Sequence, residues 1–188
     1  MSMKKVLLLA LFVCINANSQ DIELTETGAY EKKEVVVVDS AKAIVLFERA
    51  MIALSDWTGP DGKAKAGIDY QEKETGTVLY KGRYSLGFKN TFLGDGWKRY
   101  AEFSLKVRCK DGRAQVVVTV PTVTATYNRN GVTRTNSVKM LLDAVKQSKG
   151  AKRERGELLM KDIIETADGL VSAMCNRLKK GDGNDDDF

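Results

Sequence analysis

Apolar and polar positions divide this chain into stretches of two different periods, with turn-forming residues between them. Val35 to Val38 make a β-branched run inside Tyr30 to Asp39 and predict a first strand. Asp39 or Ser40 is placed to cap the next segment, where Ile44, Phe47, Met51 and Leu54 recur at three and four positions. That spacing makes one apolar helical face reaching Trp57. Gly59, Pro60 and Gly62 stop the helix, since neither residue type continues it.

From Gly67 the period becomes two. Ile68, Tyr70, Val78, Tyr80, Tyr84, Leu86 and Phe88 fall on one side, and Asp69, Gln71, Lys73, Lys81, Arg83 and Ser85 on the other, with a turn at Glu74-Thr75-Gly76. After Leu93-Gly94-Asp95-Gly96 a longer strand sets Trp97, Ala101, Phe103, Leu105, Val107 and Cys109 against Lys98, Tyr100, Glu102, Ser104, Lys106, Arg108 and Lys110. Asp111-Gly112 is a tight hairpin signal. The returning strand, Ala114 to Thr126, turns Val116, Val118 and Val120 inward, and Pro121 puts its later part at an edge or a bulge. Tyr127 to Thr135 reads as a loop or minor hairpin. Asn136 is placed to cap a short helix striped by Val138, Leu141, Leu142 and Val145. Lys146 to Arg155 is a basic linker or helix start, and a long helix runs from about Glu154 to Lys180 with Met160, Ile163, Ala167, Leu170, Met174 and Leu178 on one face.

The order is strand, helix, four antiparallel strands, helix. Each strand has one apolar face and each main helix one apolar stripe, which predicts an α+β fold: a curved antiparallel sheet with helices packed on one face, and a C-terminal helical extension. The other face of the sheet is left to water. Residues 20–126 form the α+β domain, 127–180 the loop and helices that pack on or extend it, and 181–188 an acidic tail expected to lack order.

The amino terminus adds a location. Lys4 and Lys5 precede an apolar run from Val6 to Val13, too short to span a bilayer, and a polar, small-residue exit follows. This is the layout of a signal peptide over residues 1–19, cleaved before Gln20. Cys14 follows Leu11-Phe12-Val13, similar to a lipoprotein lipobox but with valine where a small residue is required, so lipidation at Cys14 stands as the alternative to a soluble exported form. Losing Lys4 and Lys5 takes the formal charge from +5 to +3, and the part before the four tail aspartates carries +7. The mature chain is thus a basic body with an acidic tail.

The helix ending at Trp57 and the stretch from Ile68 to Gly82, with Glu74-Thr75-Gly76-Thr77-Val78-Leu79-Tyr80-Lys81-Gly82 at its heart, resemble a family of secreted Gram-negative bacterial proteins. That family is classed as a domain of unknown function with a TATA-binding-protein-like fold. The resemblance covers about Val35 to Val123 and implies the same sheet-and-helix fold and an exported location. It brings no catalytic residues, and the part after Thr126 lies outside it.

The chain has no histidine, which excludes nucleophile-histidine catalysis, imidazole metal ligation and a histidine base near neutral pH. Two cysteines without histidine do not make a tetrahedral zinc site, and no phosphate-binding or dinucleotide motif is present, so neither metal nor cofactor is expected. The tail aspartates lack the spacing of a calcium loop. Carboxylates such as Asp95 and Glu102 leave open an envelope hydrolase, with no spacing that selects a pair. Cys109 and Cys175 either pair as a disulfide that pins the last helix to the core or stay as two buried thiols. The polar face of the sheet carries Lys81, Arg83, Lys98, Tyr100, Lys106 and Arg108, a surface for an acidic ligand or envelope partner or simply a solvated face. Its mixture of charge and hydroxyl lacks the apolar wedges of a minor-groove binder, and no nucleic acid is expected. The expectation is a noncatalytic, exported binding module with no transmembrane helix after cleavage of the leader.

Overall fold

A computed structural model describes residue 22 and residues 24–55, 67–86, 97–127 and 131–180. The leader, Cys14, the Gly59 to Gly62 stop, Trp57, Phe88, the Leu93 to Gly96 turn, Asp95 and the acidic tail lie outside the described residues. In chain order the elements are β1 (Tyr30–Val37), α1 (Ala43–Ser55), β2 (Gly67–Glu72), β3 (Thr77–Ser85), β4 (Trp97–Lys110), β5 (Arg113–Tyr127), β6 (Thr133–Ser137), α2 (Val138–Gln147) and α3 (Gly150–Lys180).

The strands form one antiparallel sheet in the order β1-β5-β4-β3-β2, with β6 also paired to β5. β1 takes the first half of β5, from Arg113 to Val120, and β6 takes the second half, from Thr122 to Thr126. Pro121 falls between the two partners, where its missing N–H breaks no ladder bond. On the β4 side the register slips there too, so that Phe103 stands where β5 spends an extra residue. The slip shifts the inward phase of β5 from Val116, Val118 and Val120 to Val123.

The helices α1, α2 and α3 lie toward the same face. α1 contacts β2, β3, β4 and β5, α3 contacts β1 and β5, and α2 packs on α3 and the β5–β6 end. Between helices and sheet lies one core containing Leu46 and Leu54 of α1, Tyr80 and Tyr84 of β3, Leu105 and Val107 of β4, Val116 and Val118 of β5, and Ile163, Met174 and Leu178 of α3. Each such aliphatic side chain, fully withdrawn from water, contributes about 1.5–3 kcal/mol. The Tyr84 hydroxyl donates to the Ile163 carbonyl at 3.4 Å, which supplies a partner for the one polar atom that this buried ring brings in. Burial and the nearby Asp162 carboxylate raise the Tyr84 phenol far above its ordinary value, so it stays protonated.

Several local expectations are revised. The first strand begins at Tyr30 rather than in the valine run, because the charged stretch Glu31 to Glu34 alternates correctly along an edge strand. Its helix-side members find partners there: Lys32 Nζ lies 3.2 Å from the Asp168 carboxylate on α3. Neither Asp39 nor Ser40 caps α1. Ser40 is held at φ 66 in a tight turn, and the first helical N–H, that of Ala43, donates instead to Asp111 Oδ1 at 2.8 Å. Tyr70 is not on the apolar side, since a register shift between Ile68 and Tyr70 carries it to the open face, where it is 46% exposed. Of the loop and the minor hairpin read at Tyr127 to Thr135, the hairpin is found, with Thr133 to Ser137 as its returning strand, and Ser137 rather than Asn136 caps α2, its hydroxyl accepting from Met140 N at 3.1 Å. The basic stretch after Gln147 is the start of α3, which begins at Gly150. Gly156 lets α2 and α3 approach closely, as a Cβ there would run into Val145.

Candidate functional site

Among the described residues no element covers the sheet face opposite the helices, and side chains alternate onto it from every strand. Directly opposed residues share a face, so the register lays out this surface as rows crossing the sheet. At one end Lys98 lies beside Thr126 and Thr133, then Tyr100 beside Thr124 and Thr135. Next comes Glu102 between Thr122 and Arg83, then Ser104 between Thr119 and Lys81. The row Lys33, Val117, Lys106, Leu79 and Tyr70 follows. The last two rows are Val35, Gln115, Arg108 and Thr77, then Val37, Arg113 and Lys110.

All six sequence-predicted residues, Lys81, Arg83, Lys98, Tyr100, Lys106 and Arg108, therefore share the open face, but they are not one cluster. Lys81 is held by Asp69 at 3.0 Å, and the Arg83 guanidinium sits 5.1 Å from the centre of the Tyr100 ring. Glu102 accepts from Thr122 at 3.2 Å and from Thr124 at 3.5 Å, and hydroxyl pairs Thr124 with Thr135 (3.0 Å) and Thr126 with Thr133 (3.1 Å) continue the same zone. This half of the face is self-satisfied. Lys98 lies at its far end.

Lys106 and Arg108 belong to the other half, and the structure adds neighbours to them that the alternation of β4 alone does not reveal. Across the Asp111-Gly112 turn, Arg113 directly opposes Lys110, while β1 contributes Lys33 and the exposed Val35 and Val37. A shallow depression of about 250 Å³ lies here, lined by Val35, Arg108, Lys110, Arg113, Ala114 and Gln115. Among the described residues none of Lys33, Lys106, Arg108, Lys110 or Arg113 takes part in an ion pair. The signal for Arg113 is present in the sequence: a two-residue Asp-Gly turn fixes the pairing of the residues flanking it. The signal for Val35 and Val37 is hidden, because four consecutive valines conceal which two face water.

Cys109 and Cys175 are both buried free thiols. Cys109 sits on β4 opposite Ala114, whereas Cys175 lies against Glu34 of β1, two strands away. Burial pushes both thiols up to about 11, helped at Cys175 by the Glu34 carboxylate, so neither is a ready nucleophile. Among the described residues no three Cys, Asp or Glu side chains come together as metal ligands. No helix of the described residues is long and apolar enough to cross a membrane.

A curved antiparallel sheet with helices on one face is a TBP-like arrangement. Residues 33–123 match the domain of unknown function DUF4468 with TBP-like fold. Two solved structures share the arrangement. A DUF4468 family protein from Bacteroides ovatus superposes with a TM-score of 0.65 at 12% identity, covering 84% of this chain and 90% of that one. A TBP-like protein from Parabacteroides distasonis gives 0.64, also at 12% identity, over 86% of this chain and 99% of that one. Both cover more than the matched segment. No curated protein matches the chain.

Proposed function

We propose that this chain is an exported, noncatalytic module of the cell envelope that binds an acidic ligand or partner through the open face of its sheet. The observation that carries this reading is the accumulation of five cations, Lys33, Lys106, Arg108, Lys110 and Arg113, on one half of that face with no ion-pair partner among the described residues. Chains fold more readily with opposite charges interspersed, and same-sign cations opposed across a ladder reduce stability. A ligand of opposite sign would offset that cost. Export rests on the leader-like pattern of residues 1–19, and lack of catalysis on the missing histidine and the engaged Glu102.

The test is affinity capture from an envelope extract with the chain beginning at Gln20, beside a variant carrying Lys98→Glu, Lys106→Glu and Arg108→Glu. Captured ligand should fall at least tenfold in the variant, while circular dichroism stays unchanged because all three side chains stand on the open face. Equal capture by both moves binding off this face. Turnover of a cell-wall or glycan substrate, abolished by replacing one carboxylate, overturns the noncatalytic reading.

A further inference from the structure

The basic half of the open face narrows to six residues in two rows across three strands. One row is Val37, Arg113 and Lys110, and the other is Val35, Gln115 and Arg108. Lys110 and Arg113 are directly opposed, and Arg108 is two residues from Lys110 on the same strand. Antiparallel geometry puts all three Cα atoms within about 8 Å of one another. The side chains surround the depression of about 250 Å³, with the Gln115 amide beside them and Val35 at its apolar margin.

The neighbouring carboxylates are committed elsewhere. Asp111, in the turn that joins the two cationic strands, accepts from Ala43 N on the helix side. Glu34 points to the helix face, against Cys175. Glu72, on the far side of Thr77, accepts from the Thr75 hydroxyl at 2.6 Å, and this bond holds its carboxyl below the usual range. Asp39, just past β1, makes no ion pair with the three cations. Three positive charges thus converge on one small hollow, and no carboxylate among the described residues answers them.

Resting on the reading of the open face as the binding surface, we infer that Arg108, Lys110, Arg113 and Gln115 form a binding site for a phosphate group carried on a partly apolar body. Two guanidinium forks and an ammonium present many donors to one centre, which suits a tetrahedral oxyanion. A carboxylate brings one negative charge and two oxygens. A phosphate monoester brings about −1.5 to −2 and three oxygens, and so balances more of the three cations. Val35 and Val37, 51% and 62% exposed, lie where the carrier of the phosphate would rest. Two sources share this chemistry, a soluble phosphate ester and the headgroup of an acidic phospholipid.

Calorimetry with phenyl phosphate and sedimentation with phosphatidic acid vesicles test the site, using the chain from Gln20 and its Arg113→Gln, Lys110→Gln and Arg113→Lys variants. Lys152→Gln, on an exposed position of α3 away from the open face, is the control of equal charge change. Saturable binding is expected, weakened at least tenfold by Arg113→Gln and Lys110→Gln, less by Arg113→Lys, and under twofold by Lys152→Gln. Binding of phenyl phosphate identifies a soluble ester as sufficient, whereas binding of vesicles alone assigns the phosphate to a lipid headgroup. The inference is overturned if neither probe binds, if Lys152→Gln weakens binding as much as Arg113→Gln, or if benzoate binds as tightly as phenyl phosphate. An envelope ligand that is lost in the triple Glu variant but kept by Arg113→Gln removes this site and leaves the broader proposal standing.

Discussion

Cys109 and Cys175 illustrate how far a residue's surroundings decide its chemistry. Both are small apolar fillers of the core, and both have thiols moved from an ordinary value of 9.0 up to about 11, by burial first and, at Cys175, by Glu34 second. Thiolate absorbance near 240 nm should therefore rise with midpoints near 11 in the folded chain and near 9 in denaturant. Glu34→Gln should lower the midpoint of Cys175 and leave Cys109 unmoved. Because the folded value is raised, the protonated thiols contribute stability that is complete below the unfolded value and is lost as pH climbs from about 9 toward 11. Denaturation midpoints should fall through that window, and less steeply when both cysteines are replaced by alanine. At this scale the sequence is informative wherever parity is unbroken. The inward set of β4 from Ala101 to Cys109 reads directly from alternation. Tyr70 does not, because a single extra residue at Asp69 reverses the phase of everything after it.

The elements themselves are mostly legible in the sequence, and what joins them is not. Period two and period 3.6 identify β1 to β5 and the three helices, since burial of one apolar face is what chiefly stabilises each. The cap of α1 comes from Asp111, 68 positions along the chain, and no local pattern announces it. It couples the β4–β5 turn to the helix start, and the neighbouring backbone bonds Val38 N to Gly112 O (2.9 Å) and Gly112 N to Ala41 O (2.8 Å) reinforce the join. Asp111→Ala should cost about 1 kcal/mol, the usual worth of an N-cap, and lower Tm by about 2–4 °C in a scanning calorimeter. An unchanged Tm would show that the carboxylate does not act as a cap. β6 escapes a reading by periodicity because its sequence, Thr133 to Ser137, has no apolar alternation at all. It is held by backbone pairing and by threonine hydroxyls meeting across the ladder. The candidate site shows the same split: its residues can be assigned to a face, but their division into a satisfied half and a cationic half depends on which strands lie side by side.

At the scale of the whole molecule, the two main helices divide the work of covering the sheet. α1 lies over β2, β3 and β4, and α3 closes the β1 and β5 side with Ile163, Ala167, Val171 and Leu178, all fully withdrawn from water. The Arg49 guanidinium bonds the Leu178 carbonyl at 3.1 Å and ties the two covers together. A chain ending before Gly150 should retain β-sheet by circular dichroism yet bind 8-anilinonaphthalene-1-sulfonate strongly and lose solubility, as the apolar side of β1 and β5 would then meet water. Full solubility of that truncated chain would contradict the role given to α3. The placement of β1 also has a consequence in time. Its ladder partners on β5 stand 76 to 90 positions downstream. At a synthesis rate of about 5–20 residues per second, β1 waits roughly 4 to 18 s for its neighbour to emerge. Through that interval its three valines are bare, and the charges from Glu31 to Glu34 are what discourage the waiting strand from pairing with a neighbouring nascent chain.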